Sequence, residues 1–372
     1  MVDSSPTAED SWTPNPNTKW QFDIDVVGTC NLRCPSCPVG NSREAATTTR
    51  YMRPDMLDQI IRKAKSECQI SSVYLYNWTE PFLHPNLAEM IRVVRSHGPR
   101  CGLSTNLNIM RDIDDVMAAG PHMLKVSVSG FTQENYGQTH VRGDIETVKN
   151  NMAEVARAKA RTNADTRLVV AYHRYLGNHD DEQAMYDYCQ SLGFEFEPAW
   201  AYFMPLEKVL SYVDPLAIPG VSINDDDRAL INRLALPLDD ALDAARNTPG
   251  RNCRLRDKRM ALTAAGDVML CCTTFDQSRF KLTPYLDQSL DDIQAQKFGH
   301  EGCKSCMRNG LHNFFTYDSN GLDAIALKNV HEHYPDAKLL GVEQINAAKK
   351  PRGMKKVKRE INRVLRQIGL AG

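Results

Sequence analysis

Short apolar runs and helical patterns alternate along the first half of the chain. QFDIDVV (21–27), SVYLYN (72–77), CGLST (101–105), MLKVSVS (123–129), RLVVAYH (167–173) and FEPAWAY (196–202) read as strands. Between them apolar residues recur at helical spacing near 55–66, 85–97, 112–119, 144–160 and 180–192. Strands separated by single helices predict right-handed βαβ units on a parallel sheet, hence an α/β fold. Six of them over residues 20–203 predict a partial or complete βα barrel.

The flanking segments read differently. Residues 1–19 carry Pro, Ser, Thr and Asn without periodicity, the pattern of a disordered or strapped-down arm. Residues 204–250, rich in Pro and Asp, read as a linker with one or two short helices. Residues 251–335 form a second, smaller module, in which MALT (260–263) and VMLCC (268–272) flank a Gly turn and predict a β-hairpin. Helical periodicity returns at 321–333.

Composition narrows the function. A chain of 372 residues, 42% hydrophobic, is long enough for a large α/β domain and an accessory one. The net charge of −1 lacks the basic excess of a general nucleic-acid binder. No run of about 18 apolar residues reads as a membrane span. The start, MVDSSPTAEDSW, is acidic and polar where a signal peptide is basic and then apolar, so a cytoplasmic location is expected. Thiols stay reduced there, and 11 cysteines then call for metal or catalysis rather than disulfides. The near-neutral charge is also uneven. Between Lys349 and Gln367 nine basic residues face only Glu360, a local +8 that leaves −9 elsewhere. Val357, Ile361, Val364, Leu365 and Ile368 add an apolar stripe to this tail (336–372). Such a helix suits an anionic membrane surface or a polyanion, and suits equally a dock on the acidic body.

Cys30, Cys34 and Cys37 lie in GTCNLRCPSCPVGN, directly after the first strand, spaced C-x3-C-x2-C. Three thiolates on one loop can hold three irons of a 4Fe–4S cluster and leave the fourth open. A zinc knuckle is the alternative, although zinc sites favour C-x2-C pairs with four ligands.

The segment resembles the cluster loop of the radical S-adenosylmethionine (SAM) enzymes, which sits after the first strand of a partial (β/α)6 barrel. The resemblance implies a cluster whose open iron chelates SAM, reductive cleavage to a 5′-deoxyadenosyl radical, and an electron donor such as flavodoxin or ferredoxin. Ser36 stands where the family often has an aromatic residue. YNWTEPFLHPN (76–86) resembles the Gly-Gly-Glu-Pro motif, with Trp78 and Thr79 replacing the glycines, and implies that Glu80 meets the methionine ammonium. STN (104–106) resembles the Thr-Asn-Gly element with Leu107 for Gly, which brings Ser104 and Asn106 to the cofactor. SVSG (127–130) and Arg142-Gly143 match further positions, so Ser127, Ser129 and Arg142 are expected at the ribose or carboxylate. YHR (172–174) and Asn178 end the fifth strand, where cofactor or substrate contacts occur.

A second pattern, Cys253-x12-Gly266-x4-Cys271 followed by Cys303-x2-Cys306, resembles the auxiliary-cluster domains called SPASM and twitch. Position 312 is His and no cysteine follows Cys306, which fits the shorter twitch type with one auxiliary 4Fe–4S cluster on Cys253, Cys271, Cys303 and Cys306. The same four cysteines also permit zinc, and Cys272 also fits in place of Cys271. Cys68, Cys101 and Cys189 read as packed thiols. Cys272 reads either as packed or as a hydrogen donor to a substrate radical.

The resemblance implies a radical enzyme acting on a small polar substrate, a sugar or aminocyclitol, by dehydrogenation or epimerisation. Two alternatives stand beside it. One is a peptide- or protein-modifying maturase. The other is a non-catalytic iron–sulfur or zinc scaffold, which has no use for Glu80, STN or SVSG.

Overall fold

The computed structural model describes residues 12–41, 50–248, 252–318 and 321–341. The basic tail, and the arm before Trp12, lie outside the described residues. Six parallel strands carry the first half: β1 (Lys19–Ile24), β2 (Gln69–Tyr74), β3 (Arg100–Thr105), β4 (Met123–Val128), β5 (Arg167–Arg174) and β6 (Glu195–Trp200). The five anticipated helices span Pro54–Glu67, Leu87–Ser96, Ile113–Ala118, Ile145–Thr162 and Asp180–Leu192. A short helix, Gln133–Thr139, adds a turn that the periodicity did not signal.

The helix boundaries follow local chemistry. Pro54 opens its helix where no N–H is needed. Asp144 caps the next long one by accepting from Thr147 N. Asn163 and Gly193 end helices in the left-handed region.

Strand alternation sorts the sheet's two faces. Phe22, Ile24, Val73, Leu103, Leu124, Val126, Leu168, Val170, Met260 and Leu262 are buried in one continuous core beneath the helices. The parallel register puts Asp23, Tyr74, Ser104, Lys125, Ser127, His173 and Arg259 together on the opposite face, which is therefore the polar inside of the partial barrel.

The second half departs from two expectations. The anticipated hairpin forms as β7 (Arg259–Leu262) and β8 (Asp267–Met269), with Gly266 at φ +81° in its turn. β7, however, also pairs parallel with β1, and β9 (Lys281–Pro284) pairs with β8. One nine-stranded sheet results, ordered β6-β5-β4-β3-β2-β1-β7-β8-β9. Sequence patterning cannot anticipate this, because Met260 and Leu262 satisfy a hairpin and a sheet edge equally well.

The stretch 204–248 is packed rather than a bare connector. Its three helices, Leu206–Val213, Asp225–Ile231 and Leu238–Arg246, bury Val209, Leu210, Leu230, Ala241 and Leu242 in a second core with Leu270 and Phe314. The arm is strapped down from Trp12, whose indole donates to Asp291 Oδ1 at 2.8 Å and whose ring meets Trp20 and Phe298.

Arg174 and Glu182 join the two halves. Both are buried, with guanidinium-to-carboxylate bonds of 2.9 and 2.6 Å, and each also bonds the backbone of Leu340. Glu182→Ala leaves the Arg174 charge buried without its partner. The expected cost is about 3–5 kcal/mol, read by chemical denaturation of the full chain.

Candidate functional site

The Cys30 loop, the Glu80 loop and Asn106 follow the C-terminal ends of β1, β2 and β3, the edge where a barrel gathers its loops. After β1 the chain enters the Cys30 loop. Cys34 O accepts from Cys37 N at 3.1 Å and Cys37 O from Gly40 N at 2.9 Å, so the loop curls around Cys34. Gly40 is required there, because a Cβ would sit 2.4 Å from Cys34 N. Cys30 Sγ accepts from Leu32 N at 3.5 Å and from Asn106 Nδ2 at 3.7 Å, donors suited to a thiolate.

Burial pushes all three thiols up, Cys30 to about 12 and Cys37 to about 11, and the charges of Cys30 and Cys37 add to the rise at Cys34. Three thiolates can coexist in this loop only against added positive charge, which metal ions supply. The donor set therefore fits an iron–sulfur cluster.

Two buried carboxylates organise the loops facing the cysteines. Asp25 Oδ1 accepts from the backbone N–H groups of Asn77, Trp78 and Thr79 at 2.9–3.0 Å and from Thr79 Oγ1 at 2.6 Å. This holds the YNWTEP loop in shape although Trp78 and Thr79 replace glycines. Glu80, 2% exposed, accepts through Oε1 from Phe82 N (3.1 Å) and Thr105 Oγ1 (2.7 Å), and through Oε2 from Asn106 N (2.8 Å). Its environment raises the carboxyl to about 7, burial outweighing the three hydrogen bonds. Oε2, with one partner, keeps a lone pair for a cationic ligand. Asn106 also donates to Asn31 Oδ1 at 2.9 Å, which locks the end of β3 to the cysteine loop.

The remaining expected residues divide. Ser104 and Ser127 face the interior 3.3 Å apart. Ser129 is fully buried, its hydroxyl against Thr139 Oγ1 and, at 3.0 Å, His140 Nδ1. Arg142 is exposed at φ +73°, and the neighbouring Val141 O accepts from Arg33 N at 3.0 Å, docking this turn on the cysteine loop. Leu107 is buried at φ +52°, the left-handed conformation that the family's glycine suits. Asn178 donates to the Ser129 and His173 carbonyls and so knits the strand ends together.

The second cysteine group assembles from three places: the start of the helix Arg254–Lys258 (Cys253), the turn after β8 (Cys271), and the helix Glu301–Arg308 (Cys303 and Cys306). Burial raises the Cys253, Cys303 and Cys306 thiols, Cys253 to about 12, and the charge on Cys271 raises each further. Cys271 is the one stabilised as thiolate, by hydrogen bonds from Cys272 and Thr273. Cys272 bridges two groups: besides its bond to Cys271, its Sγ accepts from Arg259 Nη1 at 3.7 Å, and Arg259 lies 3.4 Å from Asp23 Oδ2 in the barrel interior. Among the described residues no three Cys, His, Asp or Glu side chains converge closely enough to hold a single metal ion.

Asp25, Lys125 and Arg259 escaped the sequence reading, as did the bridging contacts of Trp78. The regular alternation in FDIDVV and MLKVSV placed Asp25 and Lys125 inside the barrel, but a polar inner face looks the same as an exposed one in sequence. Trp78 links the two cysteine groups. Its carbonyl accepts from Cys37 Sγ at 3.7 Å, and its indole donates to Thr274 O at 3.0 Å.

Comparison with known proteins agrees with this geometry. Residues 24–184 match the family model described as the Radical SAM superfamily. A curated relative, the tungsten-containing aldehyde ferredoxin oxidoreductase cofactor-modifying protein of Pyrococcus furiosus, is 27% identical over 89 residues, 24% of each chain. Among solved structures, Streptococcus suis SuiB bound to precursor peptide SuiA aligns with a TM-score of 0.53 at 12% identity, over 76% of this chain and 66% of that one. SuiB bound to S-adenosylmethionine gives 0.51 at 11% identity, over 79% and 68%. At such identities the likeness concerns the fold alone, a mixed α/β partial barrel. The matched stretch, residues 24–184, holds the cysteine loop, Glu80 and Asn106.

Proposed function

We propose that this chain is a radical SAM enzyme that abstracts hydrogen from a small polar substrate, a sugar or aminocyclitol, for dehydrogenation or epimerisation. The observation that carries the reading is the convergence of Cys30, Cys34 and Cys37 with Glu80 and Asn106 at one edge of a barrel whose inner face is polar. Cys30, Cys34 and Cys37 would hold a 4Fe–4S cluster, which supplies the reductive cleavage of SAM when bound. Glu80 offers Oε2 to the methionine ammonium, and Ser104 and Ser127 lie on the inner face where ribose hydroxyls need partners. Arg142 offers its guanidinium to the carboxylate from the turn docked on the cysteine loop. Ser129, already engaged by Thr139 and His140, acts by shaping the strand end.

Cys253, Cys271, Cys303 and Cys306 would hold an auxiliary 4Fe–4S cluster in a twitch-like module. The choice of Cys271 over Cys272 is supported by their neighbours: Thr273 Oγ1 donates to Cys271 Sγ at 3.4 Å, whereas Cys272 Sγ meets Arg259 on the barrel side. Cys272, directed to Arg259 and the interior, is then available as a hydrogen-atom donor. Its S–H bond breaks as a C–H bond forms on the substrate radical, and the thiyl left behind takes one electron and one proton, the electron from a ferredoxin- or flavodoxin-type donor. A polar interior containing Asp23, Tyr74, Lys125, His173 and Arg259 supports a hydroxyl- and charge-bearing small molecule. A peptide-modifying enzyme is the second reading, motivated by the precursor peptide in the SuiB complex.

Reconstituted protein with dithionite and SAM is expected to form 5′-deoxyadenosine. Absence of product above a Cys34→Ala control overturns the radical reading. Iron content near eight per chain is expected, whereas about four irons with one zinc excludes the auxiliary cluster. Glu80→Gln is expected to retain its iron but to bind SAM about 10- to 100-fold more weakly by calorimetry, the worth of one charge-assisted hydrogen bond. In Cys272→Ala, 5′-deoxyadenosine should persist while an epimerised product disappears. Unchanged turnover there removes Cys272 from the mechanism.

A further inference from the structure

The helix Leu290–Gly299 buries two polar side chains that the reading above leaves without a role, Gln294 and Lys297. Three residues apart, they share one helix face. This helix packs on the helices Arg254–Lys258 and Glu301–Arg308, the elements that follow Cys253 and carry Cys303 and Cys306.

Lys297 is 1% exposed, and its Nζ donates to the carbonyls of Arg256 at 3.1 Å and Arg259 at 2.9 Å. Both partners are neutral, yet a buried ammonium is costly unless opposite charge stands nearby. Burial pushes the Lys297 ammonium down from the ordinary lysine range, and the charges of Cys271, Cys303, Cys272 and Cys253 oppose that shift. The other buried cation here, Arg256, also reaches the thiols through a hydrogen bond to Cys303, but it is shared with Asp257 at 2.9 Å and stacks on the Phe298 ring at 3.7 Å. Gln294 is fully buried, and neither its Oε1 nor its Nε2 has a hydrogen-bond partner among the described residues, a second polar group on the same face.

We propose that Lys297 fixes a positive charge against the Cys253–Cys271–Cys303–Cys306 site and raises the reduction potential of the cluster held there, which makes the site an electron acceptor. The inference rests on the auxiliary-cluster reading. Its physical basis is that a four-thiolate cluster becomes more negative on reduction, and a fixed cation in a dry site favours the more negative state. Lys297 is a positioning residue in this role, since it acts through the sulfurs and touches no substrate. In a dehydrogenation the substrate radical gives up one electron and one proton to become the oxidised product, and a raised potential lets this site take the electron.

The test uses the full chain with Cys30, Cys34 and Cys37 changed to Ala, so that only the second site contributes a signal. After anaerobic reconstitution, iron and zinc are counted and the midpoint is read by redox titration followed by electron paramagnetic resonance. About four irons per chain are expected in this background. Lys297→Met is expected to keep its iron and move the midpoint to lower potential, and Lys297→Arg to restore it. If Lys297→Met fails to assemble, Lys297→Gln makes the same comparison, because its amide can still donate to both carbonyls without charge. Iron retained with an unmoved midpoint overturns the role of Lys297 and leaves the auxiliary cluster standing. Zinc, or no metal, in the parent background overturns the auxiliary reading and this inference together.

Discussion

Buried thiols repel one another's charge, and the chain gathers seven of them into two groups. Removing a thiolate from water is costly, and placing a second beside it compounds the cost, which is why Cys30, Cys34 and Cys253 all sit well above an ordinary thiol. Much of the surrounding structure answers this constraint. Backbone N–H groups and the Asn106 amide point at Cys30. Cys272 and Thr273 donate to Cys271. Lys297 and Arg256 bring buried positive charge to the second group. Without such donors, seven reduced cysteines would be better packed as separate apolar side chains, as Cys101 and Cys189 are.

Carboxylates do the corresponding work for the backbone. Loops at the end of a parallel sheet leave N–H groups without partners, and two such clusters fall beside the cysteine loop. Asp25 gathers one of them with a single oxygen, and Glu80 ties another to the end of β3. Both sit where burial opposes ionisation and hydrogen bonds favour it. The loop over 76–80 therefore needs no glycine to stay in place, and that freedom lets Trp78 occupy a position where its indole reaches Thr274. A substitution that looks like damage to a motif becomes a strut between the two cysteine groups.

How much of this was legible in sequence depended on the range of the interaction. The six strands and five helices showed themselves through periodicity, and the cysteine loop through spacing after a strand, because both signals are local. Glu80 and Asn106 were visible only as members of an ordered series of strand ends. Asp25, Lys125, Arg259 and Lys297 were invisible: each is an ordinary charged residue until the sheet register or a helix face brings it inside. The packed helices of 204–248 were hidden differently, since their Pro and Asp content marks turns and caps as readily as it marks a linker. Glu207 shows what those helices contribute, for it accepts from Phe275 N and Asp276 N and so pins the chain just beyond Cys272.

The pairing of β7 with β1 gives these pieces a common frame. A hairpin on a separate domain could tilt relative to the barrel, and its cysteines would move with it. Here four residue pairs, Gln21 with Arg259 through Ile24 with Leu262, make the hairpin an extension of the barrel sheet. Arg259 can then reach Asp23 across the shared ladder and Cys272 on the turn beyond β8, so one guanidinium spans the barrel interior and the edge of the second cysteine group. Lys297 anchors to the carbonyl of that same residue. The geometry that points Cys272 inward and the geometry that sets Lys297 against Cys271 thus share one origin, the register of β7 on β1, and a shift of one residue there would reverse the face of Arg259 and break both.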